Sequence, residues 1–262
     1  MPQASAYLFV PGNRPERFAK ACLAAPGLTI IDLEDAVPPD QKDGAREAVR
    51  QWLDGSHQVI LRINADGSDW FGKDLELTPL PGVATVMLPK AETVQTLRTM
   101  TGSGKPVIPL IETAIGIAQA RALAREAGVD RLAFGSIDLQ ADLGISGDGE
   151  ELHAFRSELV LASRLAGVKT PIDGVTTAID DIDILRADAL RAKRFGFGAK
   201  LCIHPKQLDV VRTVFAPTSS EIDWATRILA AIETTWGAAV SVDGKMVDKP
   251  VVELARRIMR AA

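Results

Sequence analysis

The residues Val107–Leu139, with the sequence VIPLIETAIGIAQARALAREAGVDRLAFGSIDL, decide the fold of this chain. Two short apolar runs, Val107–Ile111 and Leu132–Phe134, lead to the acids Glu112 and Asp138. Between the runs, apolar residues recur at helical spacing and end at a glycine. The pattern predicts a strand, a helix and a second strand. Because a crossover of this kind joins parallel strands, we expect both acids at the same edge of one sheet.

The pair of acids carries the first functional hypothesis. Two carboxylates that converge on one pocket repel each other unless a cation lies between them. Mg²⁺ is commonly held by one or two protein carboxylates, with water or substrate completing its octahedron. The sequence therefore predicts a metal site formed by Glu112 and Asp138. The alternative is that both acids simply face solvent at the ends of their strands.

The alternation of apolar runs and helical segments occurs eight times along the chain. Eight such units within about 215 residues are typical of a (β/α)8 TIM barrel, which we predict for residues 1–216. An open doubly wound sheet is the alternative, and it is disfavoured because no GxGxxG follows the first strand. Residues 217–262 are predicted to form a C-terminal helical extension. A helix beyond a complete barrel has no place in its core, so we expect this extension to pack outside or to contact a neighbouring subunit.

The predicted strands end in polar residues. In a TIM barrel these ends form one rim, where the βα loops build the active site. The residues expected on the rim are Asn13, Arg14, Asp32, Glu34, Arg62, Lys90, Glu112, Asp138, Asp173 and His204. Residues that are scattered along the sequence are therefore expected to form a single cluster in space.

Composition limits the classes of function. The net charge of −4 gives no reason to expect a nucleic-acid partner. Two cysteines imply no disulfide framework and favour a reducing compartment. The first residues, MPQASAYLFVPG, lack the basic and apolar regions of a signal peptide, and there is no apolar run of about 18 residues. We therefore expect a cytoplasmic protein with no membrane contact.

Several stretches together resemble the citrate lyase β-subunit-like family, within the aldolase, malyl-CoA lyase and citramalyl-CoA lyase group. They cover nearly the whole chain and occur in the family's order. The stretches are SAYLFVPGNRPERFAKA, IIDLEDAVPPDQKDGAREAV, LRIN, MLPKAE, PLIETAIGI, FGSIDL, GFGAKLCIHPKQ and DGKMVDKP.

The resemblance implies a (β/α)8 barrel, a Mg²⁺ cofactor and reversible carbon–carbon cleavage of a short 3-hydroxyacyl thioester of coenzyme A. The products would be a 2-oxo acid and an acetyl thioester, from a malyl, citramalyl or citryl substrate. It also implies a homo-oligomer, either a trimer or a hexamer of trimers, whose C-terminal segment contacts the next subunit's site. The alternative is that an acyl-carrier protein, and not coenzyme A, bears the thioester.

The resemblance also assigns roles to residues. Glu112 and Asp138 match the metal ligands, and Arg62 of LRIN matches the arginine that contacts substrate oxygens. Asp248 of KMVD resembles a catalytic acid that some members supply from a neighbouring chain. The residues that fall where coenzyme A binds are Arg14, Lys20 and the Ile203–His204 edge.

Other readings remain open at this stage. Asp32, Glu34 and Asp35 are expected to stabilise the rim by pairing with Lys90 or Arg62 rather than to bind metal. Lys90 is the alternative nucleophile of a metal-independent, Schiff-base aldolase. Attack by water on the thioester would give a thioesterase or a malate-synthase-like enzyme. Two further alternatives are a carrier-dependent citrate lyase β subunit and an aldolase that acts on unactivated 2-oxo acids.

Overall fold

The computed structural model describes residues 5–102, 104–233 and 240–262 of the chain. These residues form two compact units, Ser5–Arg212 and Thr213–Ala262. No helix in the described ranges is both long and apolar enough to span a membrane.

The first unit contains eight parallel strands and the helices that connect them. The strands are β1 (Ala6–Pro11), β2 (Thr29–Asp32), β3 (Val59–Arg62), β4 (Val83–Leu88), β5 (Val107–Ile111), β6 (Ala133–Phe134), β7 (Ile172–Asp173) and β8 (Ala199–Cys202). The helices are α1 (Phe18–Ala24), α2 (Lys42–Trp52), α3 (Phe71–Leu75), α4 (Val94–Thr101), α5 (Ala114–Ala124), α6 (Ser136–Leu143), α7 (His153–Ala166), α8 (Ile182–Phe195) and α9 (Leu208–Phe215), the last of which continues into the second unit.

The strands form a closed barrel in sequence order. Closure is made by β1, which pairs in parallel with β2 on one side and with β8 on the other, where Ala6 lies opposite Lys200. The predicted (β/α)8 barrel is thus confirmed, and the open doubly wound sheet is excluded because β1 and β8 pair with each other and close the sheet. A closed barrel directs the carboxyl ends of all its strands to one rim.

The interior of the barrel is apolar below that rim. Its core is formed by Tyr7, Ile30, Ile60, Met87, Ile108, Leu110, Ala133, Ile172, Ala199 and Leu201. Residues two positions apart on a strand face the same way. The next inward positions after Ile30, Ile60 and Leu110 are therefore Asp32, Arg62 and Glu112. The inward-facing positions of these strands are therefore aliphatic inside the barrel and charged at its carboxyl end.

The segment around β6 differs from its predicted form. The strand is only two residues long, and α6 begins at Ser136, directly after Gly135. Asp138, expected at or just past the end of this strand, therefore lies in the first turn of a helix that follows it. This position still favours a carboxylate, because the positive end of the helix dipole lies there.

The second unit has a small core of its own. It contains α10 (Ser219–Glu233), the antiparallel pair β9 (Val240–Val242) and β10 (Lys245–Val247), and α11 (Lys249–Ala261). Ala225 and Ile228 of α10 are buried with Val247 and Ala255. The predicted C-terminal helices are present. Their contact with a neighbouring subunit, and the boundary at residue 216, stay predictions.

Candidate active site

A cavity of about 390 Å³ lies at the carboxyl ends of the strands. The residues that line it come from the strands or from the loops that follow them. They are Phe9, Pro11, Asp32, Asp35, Ala36, Arg62, Leu110, Glu112, Phe134, Gly135, Ser136, Ile137, Asp138, Val175, Leu201 and Ile203. The cavity therefore brings together three residues predicted separately from the sequence: Arg62, Glu112 and Asp138.

Glu112 is held firmly in a buried position. The backbone N–H of Lys90 donates to its Oε1 at 2.8 Å. Gly135, which begins the turn into α6, lies directly against the Glu112 carboxylate, and a Cβ at that position would collide with it. Glycine at position 135 is therefore required by close approach and not by an unusual backbone angle.

The charges around Glu112 favour a bound cation. Burial, followed by the negative charges of Glu34 and Asp138, raises the pKa of Glu112 to about 8. A cation between Glu112 and Asp138 would relieve this repulsion. In the described residues, no three His, Cys, Asp or Glu side chains are grouped to hold a metal. The two carboxylates at this cavity therefore fit an ion such as Mg²⁺, which takes few protein ligands, better than one that needs a full protein cage.

Arg62 is anchored by a two-point contact with Asp32. Its Nε and Nη2 donate to the two Asp32 oxygens, each at 2.7 Å, and its guanidinium lies over the Phe9 ring. Burial lowers the pKa of Arg62, but the charge and hydrogen bonds of Asp32, followed by the charges of Glu34 and Asp35, outweigh it and leave that pKa raised. Arg62 is thus a fixed cation at the wall of the cavity.

This anchoring predicts a large loss of stability in Arg62→Met. The change leaves Asp32 buried without its cation and removes one of the two cations of Glu34, and breaking a buried ion pair in this way costs about 3–5 kcal/mol. Urea unfolding should show the loss as a lower midpoint. Arg121→Met is the control, because Arg121 forms a similar two-point contact with Glu158 at the surface and its midpoint should hardly move. An unchanged midpoint for Arg62→Met would contradict the prediction.

Lys90 pairs with Glu34 rather than facing the cavity. Its Nζ donates to Glu34 Oε1 at 2.9 Å. Burial lowers the pKa of Lys90, but the hydrogen bond and charge of Glu34 outweigh this and raise it. A Schiff base requires a neutral amine, so this pairing disfavours the Schiff-base alternative. The expected pairing of Asp32 and Glu34 with Arg62 and Lys90 is present.

A buried lysine behind the rim was missed from the sequence. Lys42 Nζ donates to the carbonyl oxygens of Leu33 and Glu34, at 2.6 and 2.7 Å, and to Asn64 Oδ1 at 2.7 Å. Asn64 in turn binds Asp74. The sequence places Lys42 on an amphipathic helix, where a lysine ordinarily faces solvent. Its buried position is therefore evident only from the residues that surround it in the structure.

The residues expected to bind coenzyme A lie next to the main cavity, with one exception. A second cavity of about 540 Å³ is lined by Pro11, Asn13, Arg14, Arg17, Ala36, Pro38 and Gln41. It shares Pro11 and Ala36 with the first, so the two are adjacent. Arg17 was not predicted. Lys20 lies exposed on α1 and does not line this cavity, whereas Ile203 lines the main one.

His204 and Asp248 have local structural roles in this chain. His204 Nδ1 accepts from the Lys206 backbone N–H and thereby caps a short 3-10 turn at Pro205–Gln207, as expected for a rim residue. Asp248 belongs to the second unit, where it is exposed and precedes α11. Its Oδ1 accepts from the Val251 backbone N–H at 3.4 Å, a long cap. A catalytic role of Asp248 in a neighbouring subunit stays a prediction.

Asp173 differs from the rim residue expected at the end of β7. It is fully buried and accepts from Arg156 Nε at 3.1 Å, while Lys200 Nζ lies 3.4 Å from its other oxygen. Lys200 also donates to the Gly174 carbonyl at 2.7 Å, and Arg156 lies over the Phe134 ring. This buried cluster is not open to the cavity, so Asp173 is a structural residue.

Comparison with known proteins places this geometry in a family. The HpcH/HpaI aldolase/citrate lyase family matches residues 5–205. A citrate lyase subunit beta-like protein of Mycobacterium tuberculosis is 37% identical over 98% of this chain and 94% of its own length. A (3S)-malyl-CoA thioesterase of Cereibacter sphaeroides is 32% identical over 97% of this chain and 93% of its own length.

Solved structures agree with the sequence comparison. The crystal structure of CitE from Mycobacterium tuberculosis, in complex with magnesium, acetoacetate and coenzyme A, superposes with a TM-score of 0.89 and 37% identity, covering 99% of this chain and 98% of that one. The family resemblance expected from the sequence motifs is confirmed. The barrel, the paired acids and these relatives together show that the chain belongs to the HpcH/HpaI aldolase/citrate lyase family of lyases.

Proposed function

We propose that this chain is a Mg²⁺-dependent carbon–carbon lyase that reversibly cleaves a short 3-hydroxyacyl thioester of coenzyme A into a 2-oxo acid and acetyl-CoA. The observation that carries the proposal is the convergence of Glu112 and Asp138 with Arg62 on one cavity. The similar CitE structure, which contains magnesium, acetoacetate and coenzyme A, supports the same cofactor and thioester here.

Glu112 and Asp138 would hold the ion. When bound, Mg²⁺ supplies Lewis-acid polarisation and an anchor for the oxygens of the 2-oxo acid. The raised pKa of Glu112 fits this role, because its charged form is poorly tolerated until a cation arrives. Gly135 and the Lys90 N–H fix the direction of the carboxylate in advance.

Cleavage moves charge to two places. The 3-hydroxyl loses its proton and becomes the 2-oxo carbonyl of the released acid, while the electrons of the broken carbon–carbon bond enter the thioester as an enolate, which is then protonated. Asp32 uses two of the five N–H donors of Arg62, and Nη1 lies 3.0 Å from Glu34 Oε2, so the donors that face neither carboxylate would stabilise developing negative charge. One such donor is worth about 3–4 kcal/mol in the transition state. The proton acceptor and donor that we propose is Asp248 of a neighbouring subunit.

The floor of the cavity favours a small uncharged substituent on the substrate. Phe9, Leu110, Phe134, Val175 and Leu201 line it. Among the described residues around this cavity, Arg62 is the only cation, and its remaining donors are those proposed for the developing enolate. A further substrate carboxylate would be buried without a partner, which is costly. Malyl-CoA and citramalyl-CoA therefore fit better than citryl-CoA.

Hydrolysis is the second candidate function. The relative from Cereibacter sphaeroides is a (3S)-malyl-CoA thioesterase of similar length. Water attacking the thioester carbonyl would release free coenzyme A instead of acetyl-CoA. The third candidate is a carrier-dependent citrate lyase β subunit. It is supported by a citrate lyase subunit beta of Leuconostoc mesenteroides, which is 31% identical over 97% of this chain.

We propose that Arg14 and Lys20 bind coenzyme A. We also propose that the protein assembles as a trimer or as a hexamer of trimers.

A product screen tests the proposal. Purified protein with Mg²⁺ is offered malyl-, 3-methylmalyl-, citramalyl- and citryl-CoA, and the released acids and thioesters are identified by mass spectrometry. We expect glyoxylate or pyruvate together with acetyl-CoA from malyl- or citramalyl-CoA, and little turnover of citryl-CoA. Free coenzyme A without acetyl-CoA would favour the thioesterase. Inactivity on all four would contradict a lyase that acts on coenzyme A thioesters.

A further inference from the structure

A third carboxylate, Glu34, lies close to Glu112, one of the two proposed metal ligands. Glu34 is buried, and its negative charge is the largest electrostatic influence on Glu112 after burial. Its Oε2 lies 3.0 Å from Arg62 Nη1 but has no hydrogen-bond partner. A buried carboxylate oxygen without a partner is a ready ligand for a divalent cation. Yet Glu34 does not group with Glu112 and Asp138, because no three-carboxylate cluster occurs among the residues described.

Lys90 contacts two of these carboxylates at once. Its backbone N–H binds Glu112 Oε1 and its Nζ binds Glu34 Oε1. The two contacts coincide with an unusual backbone, since Lys90 has a φ of 45°, in the left-handed region. Lys90 and Asp243 are the only non-glycine residues there in the described part of the chain. Strain of this kind is retained where the surroundings impose it, often at functional sites.

Lys90 does not itself line the main cavity. It lines a neighbouring cavity together with Glu34, Ser68 and Trp70, none of which lines the main one. The ion pair of Lys90 with Glu34 therefore lies outside the lining of the main cavity. This separates Lys90 from residues such as Arg62 that would touch substrate.

We propose that Lys90 is a positioning residue that holds the Glu34 carboxylate away from the metal site. The ion then keeps only two protein carboxylates, Glu112 and Asp138, and its remaining positions stay open to the 2-oxo acid. Without the ammonium, only the ion pair with Arg62 holds Glu34, and its Oε2, which accepts no hydrogen bond, can turn toward the ion and occupy one of those positions. This inference rests on the Mg²⁺ site of the proposed function.

Calorimetry on Lys90→Met tests the inference without measuring turnover. Titration with Mg²⁺ alone should show tighter binding than in the wild type, because Glu34 adds a ligand. Titration of the Mg²⁺-loaded protein with pyruvate should show lower affinity, because Glu34 then competes with pyruvate for a position on the ion; we expect a drop of roughly 10–100-fold, the range in which outer-shell changes alter a metal site. Lys90→Arg keeps a cation at the position and should restore pyruvate affinity.

A double-mutant cycle separates positioning from simple loss of charge. In the Glu34→Gln background the amide is a poor ligand, so the further change Lys90→Met should leave pyruvate affinity unchanged. Lys90→Gly removes the ammonium but relieves the left-handed strain, so it should bind pyruvate as weakly as Lys90→Met while unfolding at a higher temperature. Lys169→Met, which breaks an exposed pair with Asp130, is the matched control and should behave as wild type.

Two results would overturn the inference in different ways. If the wild type binds Mg²⁺ and the Lys90 variants bind Mg²⁺ and pyruvate equally well, the positioning role is wrong and the metal site stands. If Lys90→Met lowers pyruvate affinity equally with Glu34 intact and in the Glu34→Gln background, the positioning role is also wrong, because the effect is then one of charge alone. If the wild type binds no Mg²⁺, the metal assignment fails and this inference fails with it.

Discussion

Glu112→Gln and Asp138→Asn should each abolish Mg²⁺-dependent turnover while leaving the barrel folded. Either change leaves the ion a single carboxylate from the protein, and a neutral amide is a weak ligand for Mg²⁺. Glutamine at position 112 retains an oxygen for the Lys90 N–H and does not change the fit against Gly135. The loss should therefore appear in metal binding and catalysis and not in folding.

The pH dependence of metal binding adds a second signature. Because the pKa of Glu112 is raised to about 8, the metal-free wild type carries a proton there at pH 7. Mg²⁺ must displace that proton, so affinity should rise as the pH increases toward about 8 and then level off. The metal-free wild type should also lose stability between pH 4.5 and 8, since its folded state binds the proton more tightly than the unfolded chain does. Glu112→Gln should show neither trend.

Calorimetric titration at several pH values and thermal unfolding measure these effects. Glu158→Gln is the control, because Glu158 forms a surface pair with Arg121 outside the cavity. It should retain wild-type turnover and Mg²⁺ affinity. If Glu112→Gln and Asp138→Asn both bind Mg²⁺ as the wild type does, the metal assignment is wrong.

Mixing Glu112→Gln with Asp248→Asn should restore activity that neither variant has alone. If each site combines Glu112 of one subunit with Asp248 of the next, mixed oligomers contain sites with both residues intact. Random mixing of equal amounts should leave about one quarter of the sites intact. Glu112→Gln suits the experiment better than a change at Arg62, because loss of the Arg62–Asp32 pair would also destabilise the subunit.

The experiment needs proof that subunits exchange. Native mass spectrometry of isotope-labelled partners shows whether mixed oligomers form, and activity is then measured on the same samples. A mixture of Glu112→Gln with Asp138→Asn is the control and should stay inactive, because both changes affect the metal pair of one chain. If subunits exchange but activity does not return, the site is not shared between subunits. A monomeric wild type would also contradict a shared site.

The fold was accessible from the sequence because its signals are local. The apolar runs of β1 to β8 and the helices between them follow the periodicities of strand and helix. Closure then places the strand ends on one rim, which brings Arg62, Glu112 and Asp138 together. These three residues were predicted correctly as neighbours because topology alone determines their proximity.

What escaped prediction depends on tertiary partners. Asp173 was expected on the rim, yet Arg156 from α7 and Lys200 from β8 bury it. Lys42 reads as a surface lysine until Leu33, Glu34 and Asn64 are seen around its ammonium. The left-handed backbone of Lys90 has no sequence signal, because glycine or asparagine ordinarily marks that conformation. Contacts between residues far apart in sequence decide each of these features.

The buried cluster of Arg156, Asp173 and Lys200 constrains how this protein can diverge. Removing Asp173 leaves the charges of Arg156 and Lys200 buried without a counterion, and removing either cation costs Asp173 one of its two partners. A joint replacement by well-packed apolar residues is, in contrast, often neutral or stabilising. Single changes in the trio, above all at Asp173, are therefore costly, although a distant sequence without the trio is acceptable. Across descendants of a common ancestor, we expect the three positions to be inherited together or exchanged together, so that they co-vary as a set.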